Sequence, residues 1–178
     1  MHEEFSAADG RRAHMTAWLS TMDSTHRARG VPPGWKYSSI EHLMLTCGYW
    51  TLPTPLPMGR AFGPERQCYA NASAYSEIHD VAYTEGYALS TSGVVYAHAW
   101  CVDQHGQVHD PTWRHGGVAY LGLSFSKSYV HDCNQRSGAA CLVHDPHLDD
   151  YRLLREGLPA DAIVSIGEPV TKTSTTRH

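Results

Sequence analysis

Three residues in the middle of the chain have the types that nucleophilic acyl chemistry needs: Cys68 in QCYANA, His98 in YAHAWCVD and Asp110 in VHDPTW. A free thiol is mostly protonated at neutral pH, so a nucleophilic cysteine needs an imidazole to share or take its proton. A carboxylate on the other side of that imidazole holds one tautomer and stabilises the imidazolium. The same imidazole then protonates a leaving amine. The order reads as Cys68 nucleophile, His98 base and Asp110 orienter.

The elements around these residues suit those roles. Cys68 stands where a proline-rich run meets a predicted helix over 68–82, in which Ala72, Tyr75, Ile78 and Ala82 recur at three- and four-residue steps. Free amides and the dipole at a helix start lower a thiol's pKa and bind a developing oxyanion. His98 falls in a predicted strand over 94–103, whose alternation puts Val94, Tyr96, His98, Trp100 and Val102 on one face. Asp110 falls in a predicted strand over 107–113, held extended by Pro111. Between the two lies Gln104-His105-Gly106, with glycine at the left-handed third place of a three-residue hairpin loop. That register sets His98 opposite Thr112 and puts Asp110 on the same face, in a diagonal relation of about 7–8 Å that side chains can span. A two-residue loop of His105-Gly106 would turn Asp110 toward Cys101 instead.

The rest of the chain must position this unit. Its 178 residues favour one domain. Residues 1–29 read as helix, with Phe5, Met15, Trp18, Leu19 and Met22 near helical spacing and Gly10 breaking the early part. A loop follows at 29–34, then a helix from Ser38 to Cys47 with Gly48 as its stop. The run WTLPTPLPMGRAFGP at 50–64 holds four prolines, which excludes a continuous helix or central strand and suits an extended wall over a site. Further strands are expected at 83–90 and 119–125, a helix at 147–157 and a closing strand at 162–166. The chain thus divides into a helical and proline-rich part (1–64), a core carrying the chemistry (65–125), a C-terminal helix and strand (126–166) and a flexible tail (167–178). Helices followed by strands give an α+β fold class.

Composition narrows the partners. The net charge is −4 with no run of basic residues, which argues against nucleic acid. No stretch approaches the length of a membrane span, and the N-terminus has no apolar signal region, so no membrane partner and a cytoplasmic location are expected. The five cysteines form no regular framework and point to a reducing compartment. Among 13 histidines one falls near almost any point, so a single one carries little weight. His131, Asp132, Cys133, Cys141 and His144 crowd late in the chain, yet none of them has zinc-motif spacing; no metal and no cofactor is expected. A zinc-stabilised module stays as a minor alternative.

Taken together, QCYANA (67–72), EGYA (85–88), HAWCVD (98–103) and DPTW (110–113) resemble the transglutaminase-like branch of the papain-like cysteine superfamily, over roughly residues 65–125. The resemblance implies a nucleophile helix packed on an antiparallel sheet, with the histidine and aspartate on neighbouring strands, and it places Cys68, His98 and Asp110 in those roles. It implies acyl transfer through a thioester: peptidase, amidase or deamidase hydrolysis, or transglutaminase-type amine transfer. The substrate would be a peptide, a protein or a small amide. The chain departs from papain-like peptidases in having no glutamine several residues before the cysteine; Gln67 adjoins it. PERQC replaces the RGG-x-C opening of arylamine N-acetyltransferases, and nothing matches the calcium sites of animal transglutaminases.

Gln67, or the amides at Cys68, would then fill the oxyanion role. Asn71, one turn beyond, is a candidate for substrate or oxyanion, or else a locally bonded first-turn residue. Tyr69, Tyr87, Trp100, Trp113 and Tyr120 would line a cleft or form the core edge. Glu85 would meet a substrate amine or stand as a solvated strand charge. The competing reading is a noncatalytic binding domain on the same fold, distinguished by whether Cys68 meets one ring nitrogen of His98 while Asp110 meets the other.

Overall fold

The element that orders the molecule is a six-stranded sheet, onto which the helices lay their apolar stripes. The computed structural model describes residues 2–137, 141–144 and 150–170. Along the chain lie α1 (His2–Arg29), α2 (Ile40–Cys47), β1 (Tyr49–Thr51), α3 (Cys68–Ile78), β2 (Ala82–Leu89), β3 (Val95–Val102), β4 (Val108–His109), β5 (Ala119–Phe125), α4 (Lys127–Ser137), α5 (Arg152–Arg155) and β6 (Glu168–Pro169). The strands run in the order β4-β3-β2-β5-β1-β6, antiparallel throughout. The fold is α+β.

Sheet curl is pronounced. Leu52, just past β1, forms a parallel bridge with Gln107, just before β4, so the two ends of the β4-to-β1 array meet. Two cores result. On the outer face, Met15 and Leu19 of α1, Leu43 and Met44 of α2 and Ala72 of α3 pack on Leu121, Leu123, Ala99 and Cys101. Inside the curl, Trp100, Val102, Val108, Ala88 and Tyr120 form a second cluster. Burying each large aliphatic side chain contributes roughly 1.5–3 kcal/mol. Alternation along β3 thus sends Trp100 and Val102 inward and Ala99 and Cys101 toward α3.

Polar ties fix the helices. Asp23 of α1 accepts from Ser38 and Ser39 at 2.5 and 2.9 Å, and Ser39 caps α2 by accepting from the His42 amide. Tyr87 of β2 donates to Glu41 of α2 at 2.8 Å. No helix among the described residues is long and apolar enough to cross a membrane.

Several expectations need correction. Gly10 does not break α1; it sits on an exposed face with open space around it, where glycine's propensity cost is absorbed by the long helix. The helix from Cys68 stops at Ile78, because the chain must turn at His79–Val81 to enter β2. The strand expected over 107–113 shrinks to Val108–His109, since Asp110 folds the next residues into a turn on its own carboxylate. The helix expected over 147–157 is the short α5 among the described residues, with 147–149 outside them. The closing strand over 162–166 reduces to one bridge, Ile163 to Phe125, and the edge is taken by Glu168–Pro169, which removes residues 168–169 from the expected tail. Residues 171–178 lie outside the described ones. Strand β1, helix α4 and strand β6 were not anticipated.

Two glycines permit the close approach of strands at the centre. A side chain at Gly86 would run into the Leu121 carbonyl and the backbone of Gly122, and one at Gly122 would meet the Trp100 ring at 2.7 Å. Gly86→Ala is expected to lower stability by about 3 kcal/mol, measured by urea denaturation, because backbone cannot yield as a flexible side chain can.

Candidate functional site

The β3–β4 turn sets the site's geometry. Cys101 pairs with His109 and Val102 with Val108, the register of a three-residue loop over Gln104–Gly106. Gly106 has φ 79°, and Asp103 locks the turn by accepting from the amides of His105 and Gln107 at 2.9 and 3.0 Å. In that register Asp110 faces His98, and His98 Nε2 lies 2.8 Å from Asp110 Oδ2. Both residues are only 2% exposed.

A buried carboxylate must have its lone pairs filled. Asp110 Oδ1 accepts from the amides of Thr112 and Trp113 at 2.9 and 3.0 Å, and Oδ2 accepts from His98 and from the Tyr120 hydroxyl at 2.9 Å. Tyr120 in turn accepts from the Gly117 amide. Burial, and then the charge of Asp110, push the Tyr120 phenol well up, so it remains a donor. Tyr120 had been read only as a cleft or core-edge aromatic. Its contact with Asp110 depends on β2–β5 pairing, which no local spacing reveals.

An ionised carboxylate only accepts, so His98 donates from Nε2 and its Nδ1 is not used by Asp110. Cys68, the first residue of α3, stands close enough to His98 for its thiol to act on the ring. Burial acts to lower the His98 pKa, but the bond to Asp110, the bond to Cys68 and the charges of both raise it to about 9. The ring therefore carries its proton through neutral pH. Trp113 stacks on it with centroids 4.3 Å apart, and Trp100 stacks behind at 6.2 Å. These planes shield the imidazole from water.

At the start of α3, Gln67 is exposed, its side chain makes no capping bond, and its carbonyl accepts from the Asn71 amide at 2.9 Å. Among the described residues no side chain bonds to the first amides of α3. Two residues before the thiol, Arg66 is in the left-handed region at φ 63°, a strained conformation for a side-chain-bearing residue. Cys101 is a contrast within the same sheet. It is fully buried, donates to the Ala72 carbonyl at 3.2 Å, and its thiol is pushed well up by burial and by the charge of Asp110.

The remaining candidates divide. Asn71 Nδ2 donates to the Pro64 carbonyl at 2.8 Å and to Thr112 Oγ1 at 3.0 Å, so its amide is spent on structure rather than on an oxyanion. It fastens the proline-rich run to the Asp110 turn, and the Gly63 amide adds a bond to the Pro111 carbonyl at 2.8 Å. Thr54 donates to the Val108 carbonyl at 2.6 Å, so the run forms a wall along β4 toward the site. Trp100 is fully buried and is no substrate contact; it fills the inner core against Tyr120, at 5.1 Å between centroids. Trp113 does reach solvent. It borders hollows of about 400 Å³ and about 260 Å³, the first shared with Arg66, Thr91 and Arg114 and the second with Pro53, Leu56 and Asp110. A hollow of about 800 Å³ between Glu77, Lys127 and Asp132 contains none of the three central residues and has no chemistry of that kind.

Both readings of Glu85 fail, since it is fully buried. Its carboxylate accepts from Tyr83 at 2.7 Å and from the amides of Leu142, Val143 and His144. Tyr69 lies between this group and the nucleophile. Burial, the charge of Glu85, then Cys141 and Cys68 push its phenol well up. The late cluster of metal-type residues does not assemble as written. His131 bonds with Gln135 along α4, whereas Cys141 and His144 converge on Glu85, with all three ligand atoms within 4.8 Å of one another.

Comparison with known proteins brings no match: no family model, no curated protein and no solved structure aligns significantly with the chain.

Asp110→Asn should drop the His98 pKa well below 9, because burial then acts with less opposition; imidazole NMR titration measures it. Since the folded value lies above the ordinary 6.5, the His98 contribution to stability is full below about pH 6.5 and is lost as pH rises through 9. Denaturation midpoints across that window should fall more steeply for wild type than for Asp110→Asn.

Proposed function

We propose that this protein is a cysteine-dependent acyl-transfer enzyme with a papain-like or transglutaminase-like core, acting by default as an amide or peptide hydrolase. The observation that carries the reading is a single buried imidazole bonded to Asp110 through Nε2, with the thiol of Cys68, at a helix start, acting on the same ring. A purely structural histidine has no need of a thiol at a helix start, and this arrangement favours catalysis over a binding domain on the same fold.

The chemistry follows from the atoms. The Cys68 thiolate attacks the substrate carbonyl carbon, and amides at the start of α3 hold the developing oxyanion. His98 gives its Nδ1 proton to the leaving nitrogen as the C–N bond breaks, which leaves a thioester and a neutral imidazole. A water then loses its proton to Nδ1 as its oxygen attacks the thioester carbonyl. Breaking of the C–S bond releases the acid and restores the thiolate–imidazolium pair. An amine in place of water gives transglutaminase-type transfer; water is the default because it needs no second binding site. Asp110 keeps Nε2 protonated and so keeps Nδ1 facing sulfur. Extended substrate would run over Trp113, between the proline-rich wall and the Arg66–Arg114 hollow.

The test is alkylation of each cysteine by iodoacetamide against pH, read by peptide mass spectrometry. Cys68 should react fastest well below pH 8, and His98→Ala should remove that lead. Equal rates at Cys68 and Cys47 would overturn the proposal. Once a substrate is in hand, His98→Ala should lower turnover by about 10²- to 10⁴-fold.

A further inference from the structure

We propose that Glu85, Cys141 and His144 form a zinc site that fastens the 141–144 segment to β2, independently of the catalytic reading. The sequence holds two of the three ligands as C-x2-H at 141–144. The remaining ligand comes from the middle of a strand far earlier in the chain, and only tertiary structure brings it there.

Spacing is the first argument. Cys141 Sγ and His144 Nδ1 each lie 3.6 Å from the same Glu85 oxygen, Oε2. Zinc bonds of roughly 2.0–2.1 Å to oxygen and nitrogen and 2.3 Å to sulfur, at tetrahedral angles, set ligand atoms roughly 3.3–3.6 Å apart. Two edges of a tetrahedral face are thus already at that length, and the third, between sulfur and imidazole, lies within 4.8 Å.

The second argument is the imidazole. The His144 side chain is 9% exposed, and neither ring nitrogen has a hydrogen-bond partner. A buried nitrogen left unpaired keeps the cost of leaving water without a bond to offset it. Nδ1 faces the Glu85 carboxylate just outside hydrogen-bond reach, where a bridging ion would join them. A water there would bond to Nδ1 but would not neutralise the carboxylate.

Charge and donor type complete the case. Glu85 is fully buried on the central strand, and no Lys or Arg pairs with it among the described residues. Binding releases the Cys141 proton, so thiolate, carboxylate and neutral imidazole carry two negative charges against the two positive charges of the ion. One sulfur, one nitrogen and one oxygen suit zinc rather than calcium or magnesium, which take oxygen. The amides of Val143 and His144 donate to Oε2, and Tyr83 and Leu142 donate to Oε1; these bonds hold the carboxylate in place, as outer partners do at metal sites. The fourth position is left to water. The site would brace Tyr69, whose ring lies 6.0 Å from that of His144 and which follows Cys68 in the chain.

The test uses the full chain in a Cys68→Ala background, which removes the other thiol–imidazole pair. After chelation and dialysis against zinc, one equivalent should remain by native mass spectrometry. Cobalt(II) in its place should give a thiolate charge-transfer band in the near ultraviolet. Cys141→Ser should abolish the band, and both Cys141→Ser and His144→Gln should lose the stoichiometric zinc and the rise in Tm that zinc gives. Less than stoichiometric zinc in the parent, a cobalt spectrum without a thiolate band, or zinc retained in both variants would overturn the proposal. Glu85→Gln is left out as the deciding variant, because loss of a buried carboxylate with this many donors alone unfolds the segment.

Discussion

Asp110 is a charge with almost no access to water, and the rest of the site is arranged around keeping it satisfied. Two of its bonds are local, to amides of the turn it starts; the other two come from β3 and β5. Removing one partner of a buried pair like His98–Asp110 typically costs about 3–5 kcal/mol, because the remaining charge has no solvent to fall back on. The β3–β4 register, the short β4 and the side-by-side packing of β2 and β5 are all conditions for that one carboxylate. Its charge is also what keeps the His98 proton in place against burial.

The cysteines show how position, not residue type, decides reactivity. Cys101 is one strand-face away from His98 but points toward α3, where it is buried against the Ala72 carbonyl and its thiol is pushed up. Cys68 sits at a helix start with an imidazolium as neighbour and a half-open surface above it. Proline in the 53–64 run supports this difference. A chain that cannot complete a ladder lies along β4 as a wall and is pinned by Thr54, Gly63 and Asn71.

Glu85, in β2, repeats the problem of Asp110 with a different solution. It draws backbone amides from a segment some 57 residues away. One buried acid sets the imidazole and the other anchors the loop. A sheet with carboxylates at both places tolerates little slippage, since a shift of one residue would bury each against the wrong face.

What the sequence by itself determined is local. The three-residue loop, with Gly106 left-handed, follows from glycine's freedom at positive φ and places Asp110 beside His98. The start of α3 at Cys68 and the span of β5 at 119–125 follow from spacing and punctuation. What only tertiary structure decided is which side chains are spent. Trp100 could have lined a cleft or the core edge and is core, because curl turned its face inward. Asn71 could have met substrate or bonded locally and instead ties the proline-rich run to Thr112, because that run arrived beside it. Glu85 looked solvated and is sealed, because residues 141–144 cover it. Turn chemistry and alternation act over a few residues, so a sequence displays them; burial and partnership are set by strands and loops distant in the chain, and no local pattern records which of them will meet.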